Sequence, residues 1–356
     1  MIVFRIRLHK LVAFLFLAGS LNSCNKDESE DNIPIGDVPT PYNLKIPAGF
    51  PSMFIPQDNP LTIEGVALGR KLFYDTQLSG NNSLSCASCH NQQFAFTDNQ
   101  KAQSVGVDNI SGTRNAMPLF NLGWYTDYFW DGRTSSLEAQ IPIQLTNSNE
   151  MHGNIDTILV KLNSSSEYQN MFEKAFGSSI ITEAFLVRAI AQFERTLISG
   201  NARYDQFVRQ EIELTAQEQN GLNIYTSPSK GNCASCHTLG LNFTDQSYRN
   251  IGLDSNTVDF GRSLVTLSSA DDGKFKTPSL RNCDVTGPYM HDGRFATLQA
   301  CIEFYNTGYF HHSNLDPLLA NASKGRLNTQ EKEDLISFLK TLTDEEFIAN
   351  PNFKQP

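Results

Sequence analysis

The sequence predicts a mainly α-helical protein made of two related halves, and three observations carry that prediction. The pentapeptide Cys-Ala-Ser-Cys-His occurs twice, at 86–90 and 233–237, with further matched blocks after each copy. Apolar residues recur at helical spacing over 181–199 and 329–342, whereas strand-like alternation is short and scattered. Finally, 40% of the residues are hydrophobic and 24 are Phe, so a 356-residue chain has enough apolar material for two cores.

Residues 1–23 read as a leader rather than as part of the fold. Arg5, Arg7 and Lys10 precede the apolar run Leu11 to Leu17, and the segment ends in Leu21-Asn22-Ser23-Cys24. That ending is similar to a bacterial lipobox, which would place a lipid on Cys24; a plain signal peptide with an unmodified Cys24 is the alternative. Residues 24–45 follow as an acidic tether. No apolar run beyond residue 24 reaches the length of a membrane span. The expectation is an exported chain, anchored by lipid to the outer membrane and facing the periplasm or the cell surface. The net charge of −10 argues against nucleic acid as a partner and becomes more negative once the basic leader is removed. It suits a basic redox protein, or serves solubility alone.

In chain order, Thr215 to Thr226 reads as the helix leading into the second pentapeptide, and Thr182 is placed to cap the 181–199 helix. Stretches 34–60 and 106–123 are Gly- and Pro-rich and read as loops. Cys-x-x-Cys-His suits a c-type haem: both thiols add to the vinyl groups of one porphyrin, and the adjoining His lies beneath the iron. A redox dithiol does not need the His, and zinc needs four ligands where each motif has no second Cys/His pair nearby. Two covalent haems are therefore expected, on Cys86, Cys89 and His90 and on Cys233, Cys236 and His237. The fold class that follows is two cytochrome-c-like haem domains related by internal duplication. They span residues 46–205 and 206–345, with a tail at 346–356.

The repeat extends past the haem motifs. Phe96-Thr97-Asp98 matches Phe243-Thr244-Asp245, Arg114-Asn115 matches Arg281-Asn282, and Asp131-Gly132-Arg133 matches Asp292-Gly293-Arg294. Within these blocks Trp130 stands where the second half has His291, and Gln140 where it has Cys301. The asymmetry suggests that one haem does chemistry and the other handles electrons. Cys283 and Cys301 are left over, as a disulfide or as two free thiols.

Taken together, Ser85-Cys86-Ala87-Ser88-Cys89-His90, Phe129-Trp130-Asp131-Gly132-Arg133, the Phe275 to Asn282 block and Pro288-Tyr289-Met290-His291-Asp292-Gly293 resemble the bacterial di-haem cytochrome c peroxidase family, which includes the MauG-type enzymes. The likeness runs from about residue 51 to residue 343. It implies peroxide chemistry at the N-terminal haem and electron entry at the C-terminal one. Glu150 matches the distal acid–base carboxyl, Gln140 its companion, and Trp130 the relay between the haems; His291 matches a His near the second haem. Asn115, Thr286 and Pro288 match positions that bind one Ca2+ through oxygen donors. Tyr305 stands where many of the peroxidases place a Met ligand, as in the MauG-type branch. Residues 91–129 contain no His, so nothing there matches the distal His that closes the first iron in many of the peroxidases. His152, His311 and His312 match no ligand position.

The expected activity is reduction of H2O2 with electrons from a small cytochrome c or cupredoxin. The alternatives are MauG-type oxidation of residues on a partner protein, or a non-enzymatic electron carrier. A homodimer is compatible with all three.

Overall fold

The architecture rests on two helix crossings so close that only glycine fits at the contact. A computed structural model describes residues 38–98 and 101–356. The leader, Cys24 and most of the acidic tether lie outside these described residues. Helix α1, Ile63–Phe73, crosses α2, Glu183–Thr196, so tightly that a Cβ on Gly69 would lie 1.9 Å from the Ala189 carbonyl oxygen. Helix α3, Ala216–Thr226, meets α4, Thr329–Lys340, in the same way: a Cβ on Gly221 would lie 2.0 Å from the Asp334 carbonyl oxygen. The helix that glycine weakens by propensity is thus compensated by backbone-to-backbone packing.

Each of these helices starts where its capping residue says it should. The Thr182 hydroxyl accepts from the Phe185 amide, and Thr215 and Glu218 form a reciprocal capping box. Asn328 caps α4, one residue before the start that periodicity suggests. Among the described residues, regular strand is confined to one antiparallel pair, Tyr248–Arg249 with Phe275–Lys276, so the mainly helical expectation holds.

Two large hydrophobic clusters result. The first gathers side chains from Leu68 to Leu197 around Phe73, Phe96, Phe120 and Phe193. The second runs from Tyr204 to Leu342 around Tyr225, Phe243 and Phe338. Residues set apart as a tail from sequence return to the first cluster, where Phe347 packs against Phe96 and Phe120.

Two of the matched blocks, Phe-Thr-Asp and Asp-Gly-Arg, adopt matched backbones. Phe96 and Phe243 both take positive φ, as do Gly132 and Gly293, and each Asp-Gly-Arg turn is closed by an isolated bridge, Tyr128 to Thr134 and Tyr289 to Phe295. Each turn glycine presses on the opposite half: Gly132 on the Tyr248 hydroxyl, Gly293 on the Ala102 backbone. Both Arg-Asn pairs anchor ion pairs, Arg114 to Asp131 and Asp259, and Arg281 to Asp205.

Candidate haem sites

On the proximal side the two motifs are built alike. His90 follows the short helix Cys86–Cys89, and its Nδ1 lies 2.7 Å from the Phe96 carbonyl oxygen. His237 follows the 3-10 turn Cys233–Ser235, with Nδ1 3.2 Å from the Phe243 carbonyl and 3.1 Å from that of Pro278. In each case the backbone occupies Nδ1 and leaves Nε2 free to ligate, the usual way an imidazole is oriented toward iron. Burial favours the neutral, ligating form: it lowers the pKa of His90 and takes that of His237 down to about 4. The four motif thiols are also pushed up by burial, Cys89 to about 11 and Cys233 to about 12.

Around His237 the chain leaves a cleft enclosing about 2070 Å³ of empty space, its open mouth included, lined by Cys233, Cys236, Tyr305, Leu335 and Leu339. Apolar walls, two thiols and one free imidazole nitrogen fit a haem. Tyr305 lies in a π-helical turn, Phe304–Gly308, that breaks out of the helix Leu298–Glu303. Such turns re-aim side chains at functional sites. Burial, then the nearby Cys301, Cys236 and Cys233, push the Tyr305 phenol well above its ordinary value. Losing that proton here requires a strong local cation, which ferric iron would supply.

Glu150 is half-buried, and desolvation raises its pKa against the lowering effects of Asn147 and Arg133. Asn147 Nδ2 donates to Glu150 Oε1 at 2.8 Å, and the Gln144 amide nitrogen turns onto both carboxylate oxygens. The Gly80 amide donates to the Met151 carbonyl at 2.8 Å, which ties the turn that carries Glu150 to the segment leading into the first haem motif.

Gln140, the glutamine matched from sequence, makes no hydrogen bond to Glu150. Its Oε1 is buried without a hydrogen-bond partner among the described residues. Gln144 sits one helical turn further along Leu137–Thr146, and i,i+4 spacing would have offered it as a second candidate.

Trp130 bears on the second site. It belongs to the first-half block, yet it lines the second cleft. Its indole N–H donates to the Asn115 carbonyl at 2.9 Å, and its own carbonyl accepts from the Lys276 amide at 2.8 Å. Asn115, Thr286, Pro288 and His291 share that cleft wall. Asn115 Nδ2 donates to the Lys101 and Ala102 carbonyls, which leaves its Oδ1 as the free donor atom for a hard cation. The cluster of three acidic, His or Cys side chains that often marks a metal site is absent among the described residues.

His291 stacks on Phe275 at 3.7 Å, and His312 is tied to Asn250 and Thr257, a structural role. His152 pairs with Asp108 at the surface. Cys283 and Cys301 are free thiols, Cys283 fully within the core.

Comparison with known proteins accords with this geometry. Residues 63–213 match the family model described as di-haem cytochrome c peroxidase. The methylamine utilization protein MauG of Methylorubrum extorquens is 38% identical over 82% of this chain and 81% of its own length. The cytochrome c551 peroxidase of Nitrosomonas europaea is 32% identical over 83% of this chain and 84% of its own. A crystal structure of a MauG-like protein associated with microbial copper homeostasis superposes with a TM-score of 0.83 at 34% identity, covering 88% of this chain and 99% of that one. The chain belongs to the di-haem cytochrome c peroxidase and MauG family and is an oxidoreductase carrying two c-type haems.

Proposed function

We propose that within this family the chain acts as a peroxidase, reducing H2O2 to two waters at the N-terminal site with two electrons and two protons. The observation that carries this reading is Glu150, a half-buried carboxyl of raised pKa held by Asn147 and Gln144 beside the first haem motif. A haem held by Cys86, Cys89 and His90 would supply the oxidising iron. Glu150 takes the proton from one peroxide oxygen and returns it to the other, which departs as water. Gln140, whose Oε1 lacks a donor, is available to accept from the bound peroxide. A pure electron carrier gains nothing from such a group.

Electrons from a small cytochrome c or cupredoxin enter at the site of Cys233, Cys236, His237 and Tyr305. Trp130, fixed by hydrogen bonds at both its N–H and its carbonyl, relays them without moving. A Ca2+ on Asn115 Oδ1 and the Thr286 and Pro288 carbonyls would brace the same wall. The two halves arise from an internal duplication, with one haem domain in each. A lipid on Cys24 holds the protein at the outer membrane. The test is steady-state H2O2 consumption with a reduced small cytochrome as donor; no turnover with any small redox donor would overturn the peroxidase reading.

Tyr305 favours a second reading. An anionic oxygen ligand stabilises ferric iron and lowers its potential, which suits storage of oxidising equivalents for a partner protein's residues, as in the MauG-type branch.

A further inference from the structure

The N-terminal site holds a second carboxyl that the proposed reaction does not use. Glu194 lies in the last turn of α2 and is only 7% exposed. Its carboxylate accepts no hydrogen bond and forms no ion pair with any described residue. The adjoining cation does not serve it: Arg195 is engaged at both ends of the Glu138 carboxylate, at 2.6 and 2.9 Å. The other ionisable groups facing Glu194 are Cys86 of the first haem motif and the Tyr128 phenol, both neutral in the fold. The negative end of α2 adds a further repulsion. Phe193, the neighbour of Glu194, packs on Phe73, which packs on Phe96, and the Phe96 carbonyl holds His90 Nδ1, so the end of α2 lies beside the first haem motif.

We propose that Glu194 is a redox-linked proton site of the N-terminal haem. A buried carboxylate without a counter-ion keeps its charge only while positive charge stands nearby. Ferric haem provides such charge, and ferrous haem does not. When the donor protein delivers one electron and the iron passes from ferric to ferrous, the Glu194 carboxylate binds one proton from solvent. Oxidation by peroxide reverses this and releases the proton within the pocket where water is being formed. Burial independently holds the Glu194 carboxyl high, at about 8, against the lowering influence of Arg195.

The inference rests on a haem being attached at Cys86 and Cys89. Haem content measured on the same preparation therefore separates failure of that reading from failure of this one. The experiment is potentiometric titration of the two-haem protein at a series of pH values. One of the two redox waves should fall with pH by up to about 59 mV per unit around neutrality, the value for one proton per electron. Glu194→Gln should flatten that wave and leave the other unchanged, whereas Glu194→Asp should keep a slope in a shifted window. An unchanged slope in Glu194→Gln with both haems in place would refute the proposal. Should that variant not fold, reduced-minus-oxidised infrared spectra of the native protein decide. A protonated-carboxyl band gained on reduction and lost in Glu194→Asp at that frequency supports the assignment; no such band refutes it.

Discussion

The two haem motifs share five identical residues and a similar anchoring of the histidine Nδ1 by backbone carbonyls, yet the side chains gathered in the two halves differ. In the first half Glu150 is held by Asn147 and Gln144, and Glu194 is buried without an ion-pair partner among the described residues. Around His237 the chain gathers a largely apolar wall with three phenols, Tyr225, Tyr289 and Tyr305, and charged side chains such as Arg249 and Lys276. Carboxylates near that second site are already spoken for, since Asp245 and Asp316 both pair with Arg249. The first site can exchange protons as its iron changes state. A duplicated binding motif thus leaves function to the distal residues, which come from elsewhere in the chain.

The strongest way to break this comparison is to remove one haem at a time. Cys89→Ala and Cys236→Ala should each leave a single haem that survives acid–acetone extraction, and loss of both from either variant would show that the halves do not assemble independently. Next in size is Glu150→Gln. Both haem spectra should persist while peroxide turnover falls roughly 100- to 10,000-fold, the range for a general acid–base group. The pH profile sharpens the same point. Desolvation raises the Glu150 pKa, so the basic form is lost at a higher pH than for a free carboxyl, and the acid limb of kcat/KM should lie above the ordinary carboxylate range. That limb should vanish in Glu150→Gln.

The missing distal histidine makes a claim about the resting state. Oxidised protein should show a high-spin ferric signal by electron paramagnetic resonance and react with H2O2 in stopped flow before any reductant is added. Two low-spin signals and no reaction would mean that an unrecognised ligand closes the first iron. The smallest expected effect concerns the second half alone. Thr215→Ala removes the capping box of α3, and should cost about 1 kcal/mol of stability in thermal unfolding while leaving peroxide turnover by folded protein unchanged.

Much of this could be read without coordinates because it is local. The Cys-x-x-Cys-His motifs, the Thr182 and Thr215 caps, and the paired Asp-Gly-Arg turns each depend on residues a few positions apart, where bond geometry leaves little choice. What the tertiary structure decided is which distant side chains meet. Gln144 bonds Glu150 because the 147–150 turn folds back on the last turn of the helix, one turn beyond Gln140 on the same face. Phe347, from the far end of the chain, completes the first core. Trp130 lines the second cleft although its sequence block belongs to the first half. Glu194 looked like any helical carboxylate until packing took away its solvent and Glu138 claimed the neighbouring arginine. Sequence spacing can supply candidates for a site, but desolvation and partner choice arise only when helices close on one another, and those set the proton chemistry.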